Sequence, residues 1–368
     1  MSHFLPYLAG FLLLILVGLL ALAGVLVAWS PGSPAPLVGD DGAPIEGSLS
    51  ERVFVDINGT RQGLIIQSRD PSGPVLLFLH GGPGMPTFFL NTTHPSGIEQ
   101  DFTVIWWEQR GAGISFDSGI PPETMSVEQL IADTVAVTNY LRDRFGQDKI
   151  YLLGHSWGSY LGIQVATARP DLFHAYIGMG QVSYQLRSEV AAHEYLLGAY
   201  RARGDTAMVR RLEAAPVSMT DGPSERWMRL RDEAMHRIGV GTTRDMRSVI
   251  TGIFLPVWFC RAYTLGEKIA VWRGKAWSRS LLWDEMLHTD LTLVADRLDL
   301  PVYFWVGRFD YTTNYDLARD HFLRLNAPVK GFYTFENSAH SPLFEEPRRA
   351  RDILRQDVLA RGSSLADP

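Results

Sequence analysis

The sequence predicts an α/β architecture: a mostly parallel sheet with helices on both faces, interrupted by a helical cap and preceded by a transmembrane helix. Three observations predict it. Short apolar, β-branched runs alternate with helix-patterned segments along most of the chain, the rhythm of a doubly wound sheet. That rhythm stops between residues 182 and 298, where the pattern is helical throughout and rich in Arg, Trp and Met. Residues 7–29 carry no charged side chain, over about 23 positions where a bilayer needs ~20.

The apolar run comes first in the chain. Tyr7 and Trp29 stand at its ends, where amphipathic rings favour the membrane interface. A cleaved signal peptide is the competing reading, with Ala21-Leu22-Ala23 as a cleavage site, but no Lys or Arg precedes the run to make a basic leader. The expectation is an uncleaved anchor, residues 1–29, whose partner is the lipid bilayer through residues 7–29. Analogy with other signal anchors places the rest of the chain outside the cytoplasm. Residues 30–49, opening Ser-Pro-Gly-Ser-Pro-Ala-Pro, read as a stiff, unstructured stalk.

Residues 52–57 and 64–67 are strand-like, separated by the hairpin signal Asn58-Gly59. Residues 74–79 and 102–107 are buried strands, each running into a glycine-rich loop: His-Gly-Gly-Pro-Gly at 80–84 and Glu-Gln-Arg-Gly-Ala-Gly at 108–113. Ser126 fits the N-cap of a helix reaching Gly146. Residues 150–153 form a strand and 160–168 a helix, with Gly154-His155-Ser156-Trp157-Gly158 between them. Residues 175–179 complete the first half of the sheet. After the insertion the strands resume at 302–306 and 332–335, with helices across 316–325 and 345–360. The predicted division is therefore 50–181 with 299–368 as core and 182–298 as cap. Half of the ten tryptophans fall in the cap, where helical spacing favours a packing role.

Bulk properties narrow the function. A formal charge of -6 leaves no basic footprint, so nucleic acid is not an expected partner. The single cysteine, Cys260, excludes an internal disulfide and reads as a small buried hydrophobe. There is no metal-ligand spacing among the histidines, no G-x-G-x-x-G and no P-loop, so neither metal nor cofactor is predicted.

The chemistry concentrates at residues 154–158, which match G-x-S-x-G. A strand turning directly into a helix holds its central serine in a strained conformation, beside a helix N-terminus that favours negative charge. A serine nucleophile needs a base, and the base needs an acid to orient it. In the α/β-hydrolase arrangement these follow in the order Ser, Asp or Glu, His. Ser156, Asp310 and His340 keep that order, and the last two each lie in the loop after a strand. The other acid position, after residue 179, offers only Gly180, Gln181 and Val182. The oxyanion donors expected are the N–H groups of Trp157 and Gly82, with Gly81 as the fallback donor and a substrate-binding residue. Glu108 and Arg110 are expected to pair and brace their loop.

With His-Gly-Gly-Pro-Gly, Glu-Gln-Arg-Gly, Gly-His-Ser-Trp-Gly, Asp310 and His340 in order, residues 50–360 resemble the α/β-hydrolases of the prolyl aminopeptidase (proline iminopeptidase) family. The resemblance implies an α/β-hydrolase fold with a helical cap, Ser156–Asp310–His340 as the catalytic triad, and cleavage of N-terminal residues from short peptides. It also exposes a departure. Family aminopeptidases hold the substrate ammonium with cap glutamates, one in a Trp-Glu-Gly-like context, whereas this chain has Trp272-Arg273-Gly274. Arg273 is accordingly expected at the substrate, repelling an ammonium, unless Glu194, Glu213 or Glu267 supplies the anion. Hydrolysis of esters or small amides is the alternative. Acyl transfer to another acceptor, or a non-catalytic binding protein of the same fold, completes the alternatives.

Overall fold

A computed structural model describes residues 4–368. The helix α1 (Phe4–Ala28) opens the chain. Its segment Gly10–Ala28 has a mean hydropathy of 3.0 and none of it is buried in the fold. By length and composition it is able to cross a membrane, a property shared by signal sequences near an N-terminus.

Strands β1 (Leu49–Ile57) and β2 (Thr60–Ser68) form the predicted hairpin. Asn58 and Gly59 both take positive φ, as a two-residue turn matching strand twist requires. Next come β3 (Val75–Leu79), α2 (Phe88–Thr93), β4 (Thr103–Glu108), α3 (Val127–Phe145), β5 (Ile150–His155), α4 (Trp157–Ala168) and β6 (Phe173–Met179). The Ser126 hydroxyl caps α3 by accepting the Gln129 N–H. The eight-stranded sheet is completed after the insertion by β9 (Val302–Gly307) and β10 (Lys330–Phe335), in the order β1-β2-β4-β3-β5-β6-β9-β10. The β1–β2 and β2–β4 pairs are antiparallel; every pair from β4 to β10 is parallel.

Period-two alternation makes two cores, one on each face of the sheet. Leu77, Ile105, Leu152 and Phe304 pack on one side, and Phe78, Trp106, Leu153 and Trp305 on the other. The strands are thus apolar on both faces, as covered parallel strands must be.

Between β6 and β9 lie α5 (Gln185–Ala202), α6 (Thr206–Glu213), the short hairpin β7 (Val217–Ser218) and β8 (Gly222–Pro223), and α7 (Glu225–Arg237). A π-helical turn, Ile250–Phe254, then leads through α8 (Leu255–Phe259) to α9 (Leu265–His288) and α10 (Leu291–Val294). This segment has its own core around Leu196, Leu212, Trp227 and Ala234, so Trp227 has the packing role that helical spacing suggested. The chain finishes with α11 (Tyr315–Arg324), α12 (Pro342–Glu345) and α13 (Pro347–Ile353).

Residues 30–34 differ from the expected free stalk. Ser30, Gly32 and Pro34 are buried, the Lys268 ammonium donates to the Ser30 hydroxyl at 2.7 Å, and the Gly32 and Ser33 N–H groups donate to the Arg261 carbonyl. Proline and glycine content does imply a segment without regular structure. It does not disclose that partners more than two hundred residues away hold that segment down.

Candidate active site

Ser156 sits between β5 and α4 with φ 57° and ψ −121°, a conformation non-glycine residues adopt at a cost of about 1–3 kcal/mol. The flanking glycines make the turn possible. A Cβ on Gly158 would lie 2.0 Å from the Leu79 carbonyl oxygen, and one on Gly154 would lie 2.2 Å from that of Gly158. Only hydrogen fits there. The serine is therefore held at the C-terminal edge of the sheet, where the loops after β3, β9 and β10 also end.

Those loops bring the other predicted residues to the same place. His340 Nδ1 lies 2.8 Å from Asp310 Oδ2. Asp310 also accepts the backbone N–H groups of Thr312 and Thr313 and the Thr313 hydroxyl. Burial alone would raise its carboxyl; the His340 ring and the hydrogen bonds outweigh burial and hold it below the usual carboxylate range. Asp310 is thus an acceptor, and His340 carries its proton on Nδ1. Nε2 of His340 is buried without a hydrogen-bond partner, and no hydrogen bond links it to the Ser156 hydroxyl. Both residues line one cavity, together with Gly81 and Gly82. A Cβ on Gly180 would lie 2.8 Å from the His340 ring, so the position without an acid is the one that makes room for the imidazole.

The loop after β3 is fixed by His80 and Gln109. His80 Nε2 accepts the Gln109 N–H at 3.1 Å, so its Nδ1 carries the proton and donates to the Gly81 carbonyl at 2.8 Å. Burial lowers this imidazole to about 4 and keeps it neutral. The Gln109 side chain donates to the His80 carbonyl and accepts from the Trp157 indole at 2.9 Å. One glutamine therefore ties the Gly81–Gly82 loop to the first residue of α4. Among the described residues, the N–H groups of Gly81, Gly82 and Trp157 donate to no backbone acceptor, as oxyanion donors must be free to do. Gly81 approaches the serine closely: its Cβ would lie 3.1 Å from that of Ser156. Gly82 takes φ +123°.

Two expectations about charged residues fail. Glu108 and Arg110 do not pair. Arg110 forms a buried ion pair with Asp133 at 2.7 Å, while Glu108 accepts the Tyr263 hydroxyl at 2.5 Å and the Ile114 N–H at 2.6 Å. Burial pushes the Glu108 carboxyl up to about 7. Arg273 is exposed and lies over the Phe116 ring at 5.2 Å; it is not among the residues lining the cavity. Two positions further along α9 the helix has turned about 200°, and it is Lys275 and Arg279 that line it.

The insertion supplies the rest of the wall: Met228, Arg231, Asp232, Met235 and His236 of α7, Ile253, and Trp283 of α9. Glu194 is exposed, Glu213 pairs with Arg201 and Glu267 with Arg52, so none of the three serves the cavity. Asp232 is the carboxylate that lines it. Burial raises Asp232, but Arg231 and Lys275 outweigh that and hold it low, hence ionised. Arg231 in turn bonds the fully buried Glu189 at 2.8 Å and the Thr312 carbonyl, joining α7 to the Asp310 loop. On the far side Glu345 accepts the N–H groups of Ala339, Ser341 and Arg244. It thereby bridges the His340 loop and the insertion. Among the described residues no cluster of three or more His, Cys, Asp or Glu side chains is arranged to hold a metal ion.

Comparison with known proteins places this arrangement. Residues 74–347 match the family model of the alpha/beta hydrolase fold. A probable aminopeptidase of Bacillus subtilis (strain 168) is 30% identical over 311 residues, covering 83% of this chain and 95% of that protein. A proline iminopeptidase of Heyndrickxia coagulans is 23% identical over 321 residues, covering 82% of this chain and 96% of the relative. The solved structure of a Mycobacterium smegmatis proline iminopeptidase superposes with a TM-score of 0.61 at 18% identity, covering 84% of this chain and 98% of that one. A proline iminopeptidase-related protein of Thermus thermophilus gives 0.58 at 20% identity, over 85% of this chain and 98% of that one. The chain belongs to the α/β-hydrolase family, among relatives named as aminopeptidases and proline iminopeptidases.

Proposed function

We propose that the protein is a membrane-anchored serine hydrolase that cleaves an amide or ester bond through an acyl-enzyme. One observation carries this reading: Ser156, strained and outward-facing, shares a cavity with an unpartnered His340 Nε2 whose other nitrogen is held by an ionised Asp310. On substrate binding Nε2 takes the serine proton as Oγ attacks the carbonyl carbon. The developing oxyanion is held by the N–H of Trp157 with that of Gly82, or of Gly81, which stands nearer the serine. The imidazolium returns its proton to the leaving group. Water, deprotonated by the same nitrogen, then releases the acyl group and regenerates serine. A fluorophosphonate probe applied to the detergent-solubilised full chain tests this. Labelling of wild type that is lost in Ser156→Ala is expected; an unlabelled, folded wild-type protein refutes it.

The substrate class proposed is a short peptide whose N-terminal residue is removed. The names of the relatives support this, and Asp232 is the cavity carboxylate able to meet an ammonium. A second reading is favoured by a specific observation. Arg231, Lys275 and Arg279 also line the cavity, so cations outnumber the carboxylate there three to one. That balance suits esters or amides lacking an N-terminal ammonium. Prolyl and alanyl amides set against N-acylated amides and simple esters, with Asp232→Asn alongside wild type, separate the two. Loss of amide turnover confined to free-amine substrates in Asp232→Asn supports the aminopeptidase. The domain roles proposed are an anchor at 1–29, a catalytic core at 50–181 and 299–368, and a cap at 182–298. Residues 30–49 serve as a connection tied to the insertion at 30–33 and to β1 through the Ala35 carbonyl, with a bridged turn between Val38 and Pro44, rather than a free stalk.

A further inference from the structure

The end of α1 is clamped to one particular part of the insertion. Lys268, in the first turns of α9, donates to Ser30, and the Arg261 carbonyl just after α8 accepts from Gly32 and Ser33. The Ser30 hydroxyl also closes back onto the Leu26 carbonyl of α1 at 2.6 Å. The surface beside this clamp is apolar. Val249, Ile250, Phe254, Leu255, Phe259 and Ile269 are all exposed, Ile250 at 60% and Phe259 at 61%. Elsewhere on the folded body exposed large apolar side chains occur singly or as one adjacent pair, as at Val38, Met219, Leu281, Leu293–Val294 and Leu323, which is ordinary for a soluble surface. Six within residues 249–269 form a patch that calls for a partner. Exposed cations border its 249–259 part, Arg247 before and Arg261 after, with the exposed Asp245 further out. The opposite side of the same run faces inward: Val257 and Cys260 are buried and Ile253 lines the Ser156 cavity.

We infer that this face of the insertion lies in the membrane interface beside the exit point of α1, its apolar side chains at the acyl boundary and Arg247 and Arg261 among anionic headgroups. The inference rests on the proposed reading of α1 as a retained anchor. Given that anchor, the clamp leaves little freedom. Ser30 follows the last turn of a helix able to span the bilayer, so residues hydrogen-bonded to it stand at headgroup level. A run exposing apolar groups between cations at that level has the composition of an interfacial segment, which sinks about 5–10 Å into the headgroup region. The wall containing Ile253 then separates the cavity from the bilayer surface, and molecules that partition into the interface meet the enzyme there.

Site-specific quenching tests this on the full chain. Single cysteines at Leu20→Cys, Phe254→Cys, Phe259→Cys and Thr167→Cys, each in a Cys260→Ala background, are labelled with an environment-sensitive fluorophore. They are reconstituted in phosphatidylcholine–phosphatidylglycerol vesicles carrying nitroxide either at the headgroup or in mid-chain. Thr167 lies near the C-terminal end of α4, at the edge of the sheet away from the cavity. The expected result is loss of most Leu20 emission to the mid-chain nitroxide, loss of most Phe254 and Phe259 emission to the headgroup nitroxide, and no loss at Thr167. If Leu20 is quenched while positions 254 and 259 behave like Thr167, the anchor stands and the interfacial face is refuted. A blue shift at 254 and 259 without quenching means that protein, such as a second copy, covers the patch, and refutes it too. An unquenched Leu20 removes the anchor reading and this inference with it.

Discussion

Replacing Asp310 by asparagine probes the proposed chemistry most sharply, because the structure fixes how the amide must sit. Oδ1 receives two backbone N–H groups, from Thr312 and Thr313 at 2.8 and 3.1 Å. Only the amide oxygen can occupy that position, so Nδ2 is turned toward His340 Nδ1, 2.8 Å away in the native pairing. An N–H donor there forces Nδ1 to accept and moves the imidazole proton to Nε2, the nitrogen that must take the serine proton. The base is then in the wrong tautomer. A loss of about 10⁴ in kcat is expected, or ~5 kcal/mol of transition-state stabilisation at 1.36 kcal/mol per tenfold. Turnover of an activated ester and the rate of fluorophosphonate labelling both report it, with near-unchanged KM and a thermal midpoint confirming that the protein folds. A variant retaining activity within tenfold of wild type would show that His340 is not oriented by Asp310 in the reaction.

Other expectations follow from the supporting contacts. Gln109→Ala strips partners from the His80 carbonyl and the Trp157 indole, both buried, and loosens the two proposed oxyanion donors together; kcat should fall about 5- to 150-fold, about 1–3 kcal/mol, with KM little changed in steady-state assays. Glu108 has its folded pKa raised by burial from an ordinary 4.5 to about 7, so the folded state binds the proton more tightly than the unfolded one. Stability contributed through this group is therefore full below pH 4.5 and declines up to about pH 7, by at most ~3 kcal/mol. Glu345, raised similarly, adds a decline of the same sign. Glu108→Gln should flatten part of that slope in thermal midpoints measured from pH 5 to 8, and an unaltered slope counts against the burial argument. Gly158→Ala places a methyl group 2.0 Å from the Leu79 carbonyl and should destabilise the fold by about 1–3 kcal/mol, read by chemical denaturation.

The core of the fold was legible because buried parallel strands are continuous apolar runs and each ends at a marked loop. The elbow was legible for a similar reason: Gly154 and Gly158 are demanded by backbone contacts local to β3, β5 and α4. Asp310 and His340 could be ordered along the chain by their positions at strand ends. The cavity wall was not readable in this way. Which face of α7 and α9 meets the cavity depends on how the helices pack, and a helix with charges all round does not announce it. Arg273 and Lys275 are separated by one residue and point to different sides of α9. Glu108 and Arg110 were expected to meet on proximity in sequence, but their partners, Tyr263 and Asp133, come from other elements. The same blindness to distant partners hid the docking of residues 30–34.

The bridge made by Glu345 limits how the site opens. One carboxylate grips Ala339 and Ser341 on either side of His340 and, through Arg244, the loop following α7. The histidine and this margin of the insertion are therefore coupled, since swinging the margin outward would pull His340, the proposed base, away from Asp310. On the proposed mechanism, an opening that leaves His340 in place belongs at the opposite margin of the insertion, where side chains are free to vary without moving the imidazole.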